Sequence, residues 1–362
     1  MTHTIDKPLL YITLALLVGG LLILASASMV TAQNNFGTAF YYVLRQILLG
    51  GLIGIAALVF TSIVPYTVWR KVALPAMLVS FVLLALLFIP EISYSSGGAR
   101  RWLQFGPVSF QPSEFLKFSF IIYLASWLDA RREELKSISY GLIPFSLMLA
   151  IVGVFLIMQP DIGTLGVVVI TAGFLYFIGG SRISQILGLG FLGIAAFYLV
   201  IRAAPYRLSR ILVFLNPGLD PLGIGYQISQ AFIAIGSGGF WGLGFGRSVQ
   251  KYNYLPEPIG DSIFAIFAEE TGLLGAALLI ALFMFFLWRG LAIARGAPTV
   301  FGKLLAAGLS IGIMTQAFIN MAAISGLLPL TGIPLPFVSY GGTSMMMTLA
   351  SIGILLNISR YS

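Results

Sequence analysis

The 362 residues are 59% hydrophobic and only 9% charged, where an ordinary soluble domain is roughly a quarter charged, so a water-soluble monomer is excluded. There is no cysteine and the single histidine, His3, sits in the terminal tail, which excludes disulfides, thiolate metal sites and histidine-dependent triads. The net charge of +8 would suggest nucleic acid in a soluble protein, but in a chain built for lipid it has to be read loop by loop.

The first apolar stretch runs from 9 to 30 and ends near Ala25-Ser26-Ala27, a pattern shared with cleaved leader peptides. A second span at 43–62 follows at once, so the first reads as an uncleaved anchor. Spans at 72–90, 113–128, 138–158, 162–179, 184–201, 264–288, 303–325 and 341–358 complete ten crossings. Strand-like alternation is absent, and helices satisfy their own backbone in lipid, so the expected fold is all-α and polytopic. No soluble domain or linker interrupts it, which makes residues 1–362 a single integral membrane domain.

Ten crossings place both termini on one side. The loops of that side hold Lys7, Arg70, Lys71, Arg131, Arg132, Lys136, Arg182, Arg289, Arg295, Lys303 and Arg360, and by the positive-inside rule they are cytoplasmic. The opposite, extracytoplasmic side carries the long segments 91–112 and, between the seventh and eighth spans, 202–263. Eight of the twelve acids and nine of the twenty basic residues lie on or near it, as on a working surface.

Candidate residues follow in chain order. Arg100 and Arg101 beside Trp102 are either interfacial anchors or a fork for phosphate oxygens. Pro112-Ser113 marks a helix start, after which Glu114 and Lys117 share one face at i, i+3. Such a pair inside a span is either a clamp closing the bundle or the lining of a polar cavity. Asp161, in Gln159-Pro160-Asp161-Ile162-Gly163-Thr164, has the place of a helix cap at a tight reversal.

In the long outer segment, Arg207 and Arg210 precede Asp220-Pro221-Leu222-Gly223-Ile224-Gly225-Tyr226-Gln227. The glycines at 236, 238, 239, 242, 244 and 246 then admit either a phosphate cradle or an interfacial loop anchored by Phe240, Trp241 and Phe245. Asp261, after Pro258 and Gly260, is positioned as an N-cap of the next helix, but Lys251, Glu257, Glu269 and Glu270 crowd the same boundary, and boundary acids are functional candidates.

Arg100-Arg101-Trp102 with Gln111-Pro112-Ser113-Glu114, Gln159 to Thr164, Asp220 to Gln227, Tyr254-Leu255-Pro256-Glu257 and Pro334-Leu335-Pro336-Phe337-Val338-Ser339-Tyr340-Gly341-Gly342 together resemble the SEDS family (shape, elongation, division and sporulation). The blocks keep the family's order over most of the chain. Gln250-Lys251 and the ending Gly353 to Arg360 look closer to its FtsW-like division branch than to its RodA-like elongation branch. One departure is Ser262-Ile263, where many members carry Phe-Ile after the Asp. The resemblance implies a peptidoglycan glycosyltransferase of the bacterial cytoplasmic membrane that polymerises lipid II on the outer face and releases undecaprenyl pyrophosphate. It also implies a class B penicillin-binding protein as partner through transmembrane helices. The family's essential outer-loop Asp falls on Asp261, its Glu and Lys pair on Glu114 and Lys117, and its loop Arg on Arg101.

The residues suit that chemistry. A carboxylate such as Asp261 can take the proton of an attacking sugar hydroxyl. Arg101, Lys117, Arg210 and Lys251 are candidates to bind the pyrophosphate, with a divalent cation, Mg or Mn, near Asp261 as a helper. No Asp-x-Asp motif supports a nucleotide-sugar site, and neither nucleotide nor nucleic acid is expected. The competing readings are a flippase for the lipid-linked precursor and a scaffold. Gly272, Gly275, Ala276, Gly308 and Gly312 in the eighth and ninth spans permit close helix approach, either to the partner or within the chain.

Overall fold

A computed structural model describes residues 4–96, 99–106, 108–202 and 205–362; Gly97 and Gly98 of the Arg101 segment lie outside them. Ten helices stand where ten spans are expected: α1 (Lys7–Phe36), α2 (Tyr41–Ile63), α3 (Tyr66–Leu86), α4 (Pro112–Ala130), α5 (Ile138–Met158), α6 (Ile162–Ile178), α7 (Ile183–Arg202) and, after the long segment, α10 (Ile263–Gly296), α11 (Val300–Ile324) and α12 (Gly342–Ser359). Among the described residues, 8 helices are long and apolar enough to cross a membrane. The other two have clear reasons to fall short: α6 has 17 residues, and α4 carries Glu114, Lys117 and Asp129. Most of α4 is buried among its neighbours, which is where a charged helix in lipid has to be.

The long segment holds two further helices, α8 (Pro205–Leu215) and α9 (Ile224–Gly238). Residues 93–110 add an element that the sequence reading lacks, a three-stranded antiparallel meander of β1 (Ser93–Ser96), β2 (Ala99–Phe105) and β3 (Val108–Phe110). Its register pairs Tyr94 with Trp102 and Leu103 with Phe110. These strands are short, and among their residues with described burial only Leu103 is fully buried, at 0% exposure, so no alternation announces them.

One end of the bundle gathers the termini. The Asp6 backbone N–H donates to Ser359 Oγ at 3.0 Å, Arg289 pairs with Asp6 at 2.5 Å, and Asn357 Oδ1 accepts from the Tyr66 N–H at 2.8 Å. At the other end, α2 winds as a π-helix over Gln46–Leu52. There the buried Gln46 accepts from the Gly341 N–H at 3.0 Å and donates to the Ser339 carbonyl at 3.4 Å.

The small residues of α11 serve the chain itself. A Cβ at Gly308 would lie 2.8 Å from side-chain atoms of Ile121 and Leu175, and one at Gly312 would lie 2.9 Å from Ile121. The ninth span is therefore packed inside the bundle, whereas α10 turns Leu273, Leu274 and Leu278 outward.

Helix α10 is interrupted at Gly272, whose φ of 66° and ψ of −163° leave the helical region. In lipid the freed backbone groups must find partners, and the glycine run supplies them. Leu243 N–H and Gly244 N–H donate to the carbonyls of Glu269 and Glu270, both at 3.0 Å, and Leu273 N–H donates to the Gly239 carbonyl at 2.9 Å. Gly242 sits where a side chain would meet the Glu270 and Thr271 backbone. The N–H groups of Gly239 and Gly242 bond within the run, to the Gly236 and Gly238 carbonyls, so these and the two given to α10 are committed to the fold and not offered to a phosphate; Phe240, Trp241 and Phe245 stay exposed beside it.

The next residues fold over the same break. Glu269 accepts from Ser248 Oγ and, at 3.0 Å, from the Val249 N–H, while Glu270 accepts from Ser26 Oγ at 2.7 Å. Lys251, 1% exposed, donates to Glu270 at 3.1 Å and to the Gly246 carbonyl at 2.6 Å. Removing one partner of such a pair strands the other charge, at a cost of roughly 3–5 kcal/mol. Lys251→Met is expected to lower thermal stability strongly, and the double variant with Glu270→Gln to recover a large part of it; melting of the detergent-purified chain measures both.

Candidate active site

The turn before α10 is shaped by Pro256-Glu257-Pro258-Ile259-Gly260. Glu257 has a φ of 50°, and its carbonyl accepts from the N–H groups of Gly260 at 3.1 Å and Ser262 at 3.2 Å. The following carbonyls are held from outside. Ile259 O accepts from the Tyr340 N–H at 2.9 Å, Gly260 O from Ser339 Oγ at 2.6 Å, and Asp261 O from Asn320 Nδ2 at 2.9 Å. Asp261 itself does not cap α10: Ser262 holds the cap position, with no side-chain cap bond. Asp261 as a whole is half-buried, with Oδ1 accepting from Gln227 Nε2 at 3.4 Å.

Two guanidinium groups stand by this carboxyl. A Cβ at Gly332 would lie 3.9 Å from Asp261 Oδ2 and 4.0 Å from Arg101 Nη1, so the two groups face each other across a residue without a side chain. Arg101 is fixed by the carbonyls of Gln159, at 3.4 Å, and Pro160. That ties β2 to the reversal where Asp161 caps α6, accepting from the Thr164 N–H at 3.2 Å. Arg210 on α8 donates to the Leu330 carbonyl at 3.4 Å, and its charge reaches Asp261. Burial pushes the Asp261 carboxyl up from 3.8 to about 6, and the nearby Glu257 charge adds to the rise; its own backbone, Gln227 and Arg210 pull the other way.

The second predicted group lies behind this one. Lys117 donates to Glu114 at 2.7 Å and to Gln316 Oε1 at 2.5 Å, with both charges buried. They border a cavity of about 40 Å³ whose lining includes Phe118, Gln316, Met347 and Ser351 but not Asp261. The pair clamps α4 to α11 through Gln316, and the small space it borders is walled mostly by apolar side chains such as Phe118, Ile121, Val167 and Met347.

The structure thus brings Asp261, Arg101 and Arg210 together and sets Glu114 and Lys117 one layer deeper. Lys251 stands apart, its ammonium committed to Glu270. Sequence reasoning missed Gln227, Gln316, Asn320 and Ser339 as site residues. Gln316 and Asn320, at i, i+4 inside a span, carried a readable signal, because polar residues facing one way in lipid need partners.

Among the described residues, no three acidic or histidine side chains gather as a metal cage. Asp261 and Glu257 are a smaller donor set, of the kind Mg²⁺ accepts when substrate phosphates complete its shell.

A family model described as cell cycle protein, covering FtsW, RodA and SpoVE, matches residues 7–362. The chain is 43% identical over 357 residues to stage V sporulation protein E of Bacillus subtilis (strain 168), covering 99% of this chain and 97% of that protein. It is 39% identical over 355 residues to a probable peptidoglycan glycosyltransferase FtsW of Trichlorobacter lovleyi, covering 98% and 93%. Among solved structures, a chain from a study of a peptidoglycan synthase complex that coordinates polymerization and crosslinking matches with a TM-score of 0.79 and 25% identity, covering 98% of both chains. The rod shape determining protein RodA of Thermus thermophilus matches with a TM-score of 0.71 and 26% identity over 98% of this chain and 97% of that one. The helix order and these matches agree that the chain belongs to the FtsW/RodA/SpoVE family of membrane proteins.

Proposed function

We infer that the chain is a peptidoglycan glycosyltransferase that joins lipid II units into glycan strands at the outer face of the bacterial cytoplasmic membrane. The observation that carries this reading is the carboxyl of the half-buried Asp261, raised to about 6 and flanked by Arg101 and Arg210. It is supported by relatives named as peptidoglycan glycosyltransferases.

In the reaction, a sugar hydroxyl of one lipid-linked disaccharide attacks the anomeric carbon of another. A glycosidic C–O bond forms as the C–O bond to undecaprenyl pyrophosphate breaks. Asp261 takes the hydroxyl proton, a role for which a pKa slightly below ambient pH combines ionisation with basicity. Arg101 and Arg210 hold the pyrophosphate oxygens as their charge grows. Lys117, locked to Glu114 and Gln316, acts from behind by holding α11 in place, and Lys251 keeps the loop folded. A divalent cation held by Asp261 and Glu257 together with the pyrophosphate would add charge neutralisation there.

The end that gathers Asp6, Arg289 and Ser359 is assigned to the cytoplasm, because the lysine- and arginine-rich loops belong to it. The partner is a class B penicillin-binding protein, docked on the outward face of α10 around Leu274 and Leu278. The neighbour from a synthase complex supports this. A lipid II flippase is the second reading, favoured by the interrupted helix α10, since broken helices mark transporters.

Reconstitution with purified lipid II and the partner separates them: glycan product supports the enzyme, and labelled precursor crossing the bilayer without product supports the flippase. Asp261→Asn keeps an oxygen for Gln227 and removes the base. It should leave folding and partner binding intact while polymerisation falls by a factor of roughly 100 or more. A variant that polymerises normally would falsify the catalytic assignment.

The wild-type rate is expected to fall as pH drops through about 6, where Asp261 becomes protonated. Stability runs the other way. The folded carboxyl holds its proton more tightly than the unfolded one at 3.8, so its contribution is present below that value and lost as pH rises through about 6. The melting temperature of Asp261→Asn relative to wild type should therefore climb between about pH 4 and 6 and stay level above it; scans across that window measure it.

A further inference from the structure

Helix α11 carries two buried carboxamides one turn apart, Gln316 and Asn320, 5% and 2% exposed. Their bonds leave little freedom in how the amides are oriented. Gln316 Oε1 faces the Lys117 ammonium, which only donates, and its Nε2 faces the Pro334 carbonyl at 2.9 Å, which only accepts. Asn320 Nδ2 lies between two carbonyls, Asp261 O at 2.9 Å and Ile333 O at 2.8 Å. Its own Oδ1 is buried with no partner among the described residues. A buried acceptor left unpaired is costly, and the same helix face could have been apolar.

The two carbonyls belong to the two loops that make the site. Asp261 O lies on the turn before α10, and Ile333 adjoins Gly332, the residue across which Asp261 and Arg101 meet. Ser339 and Tyr340 hold the preceding carbonyls from a loop, whereas Asn320 holds Asp261 from a buried helix near its C-terminal end. Gln316 then joins the same strip of chain, at Pro334, to the Glu114–Lys117 pair.

We propose that Asn320, seconded by Gln316, is a positioning residue that sets the Asp261 carboxyl against Arg101 by bracing the two loops to one rigid helix. This rests on the glycosyltransferase reading of the site. The brace works through the donor: Asn320→Ala removes it, and Asn320→Asp keeps the volume while turning an acceptor toward two carbonyls. With the brace gone the turn relaxes toward water. Asp261 then loses alignment with the bound hydroxyl, and misplacement by about 1 Å can cost about a hundredfold in rate.

The test uses the full chain with its partner in lipid nanodiscs, supplied with lipid II, and two readouts. One is the polymerisation rate across pH; the other is an infrared titration of the Asp261 carboxyl, taken as the difference between each chain and its Asp261→Asn counterpart. Asn320→Ala and Asn320→Asp are expected to lower kcat between about tenfold and a hundredfold with KM for lipid II little changed. The carboxyl midpoint should move down toward the ordinary carboxylate range. Gln316→Leu, which frees Pro334 and the Lys117 ammonium but leaves the Asp261 and Ile333 carbonyls held by Asn320, should do less. Ser310→Ala, which removes a hydroxyl bonded within α11 to Ala306, should leave both readouts unchanged. Wild-type rate and midpoint in Asn320→Ala would overturn the proposal, as would an Asn320→Asp variant that restores what Ala loses. A wild-type chain that makes no glycan, while the midpoint still moves in Asn320→Ala, would overturn the glycosyltransferase reading and uphold the brace.

Discussion

Lipid offers no hydrogen bonds, so every departure from regular helix in this chain has to be answered from within. The break at Gly272 is the largest such departure, and the arrangement of the long segment before α10 follows from it. Residues 239–244 lie along α10 to take up its freed backbone groups, and residues 246–251 wrap Glu269 and Glu270. Five further residues, 252–256, lead to Glu257, where the turn that carries Asp261 begins. What looks like a loose, glycine-rich loop is thus tied down at nearly every residue, because the helix it covers could not stand in lipid without it.

The charged groups divide by what the solvent allows. Two ion pairs, Glu114–Lys117 and Glu270–Lys251, are sealed in, with hydrogen bonds to satisfy the remaining valences. Removing both partners of a buried pair costs far less than removing one, so such pairs bear on specificity of packing more than on net stability. Asp261 differs in kind. It has no cation in salt-bridge contact among the described residues, sits on a half-buried turn and faces two arginines that are themselves anchored by carbonyls. A carboxyl left unneutralised beside fixed positive charge is an unfavourable way to build a fold and a suitable way to build a base.

Much of this was legible before any coordinates. Apolar run lengths alone place ten helices, and Pro112-Ser113 and Asp161 mark helix starts that form as expected, because caps and prolines act through local backbone chemistry. The meander at 93–110 was not legible, since its strands are short and hardly buried. The cap at Asp261 was misread for a related reason: Pro and Gly before an acid signal a turn, but which way the carboxyl points depends on Gln227 and Ser339, far away in sequence. The family blocks singled out Asp261, Arg101 and the Glu114–Lys117 pair, yet not that the pair sits a layer behind the acid. Depth in a bundle is set by tertiary packing, which spacing does not encode.

The π-helical stretch of α2 has a bearing on how relatives are compared. One extra residue in a turn rotates everything after it by about 100° around the helix axis. Residues 53–63 therefore present a face to α12 that an uninterrupted helix with the same ends would have turned aside. A single-residue deletion between Gln46 and Leu52 would heal the helix and at the same time spin its second half. The expected signature in homologous chains is a one-residue gap in the middle of a membrane helix, accompanied by exchanged surface and interior residues on one side of the gap only.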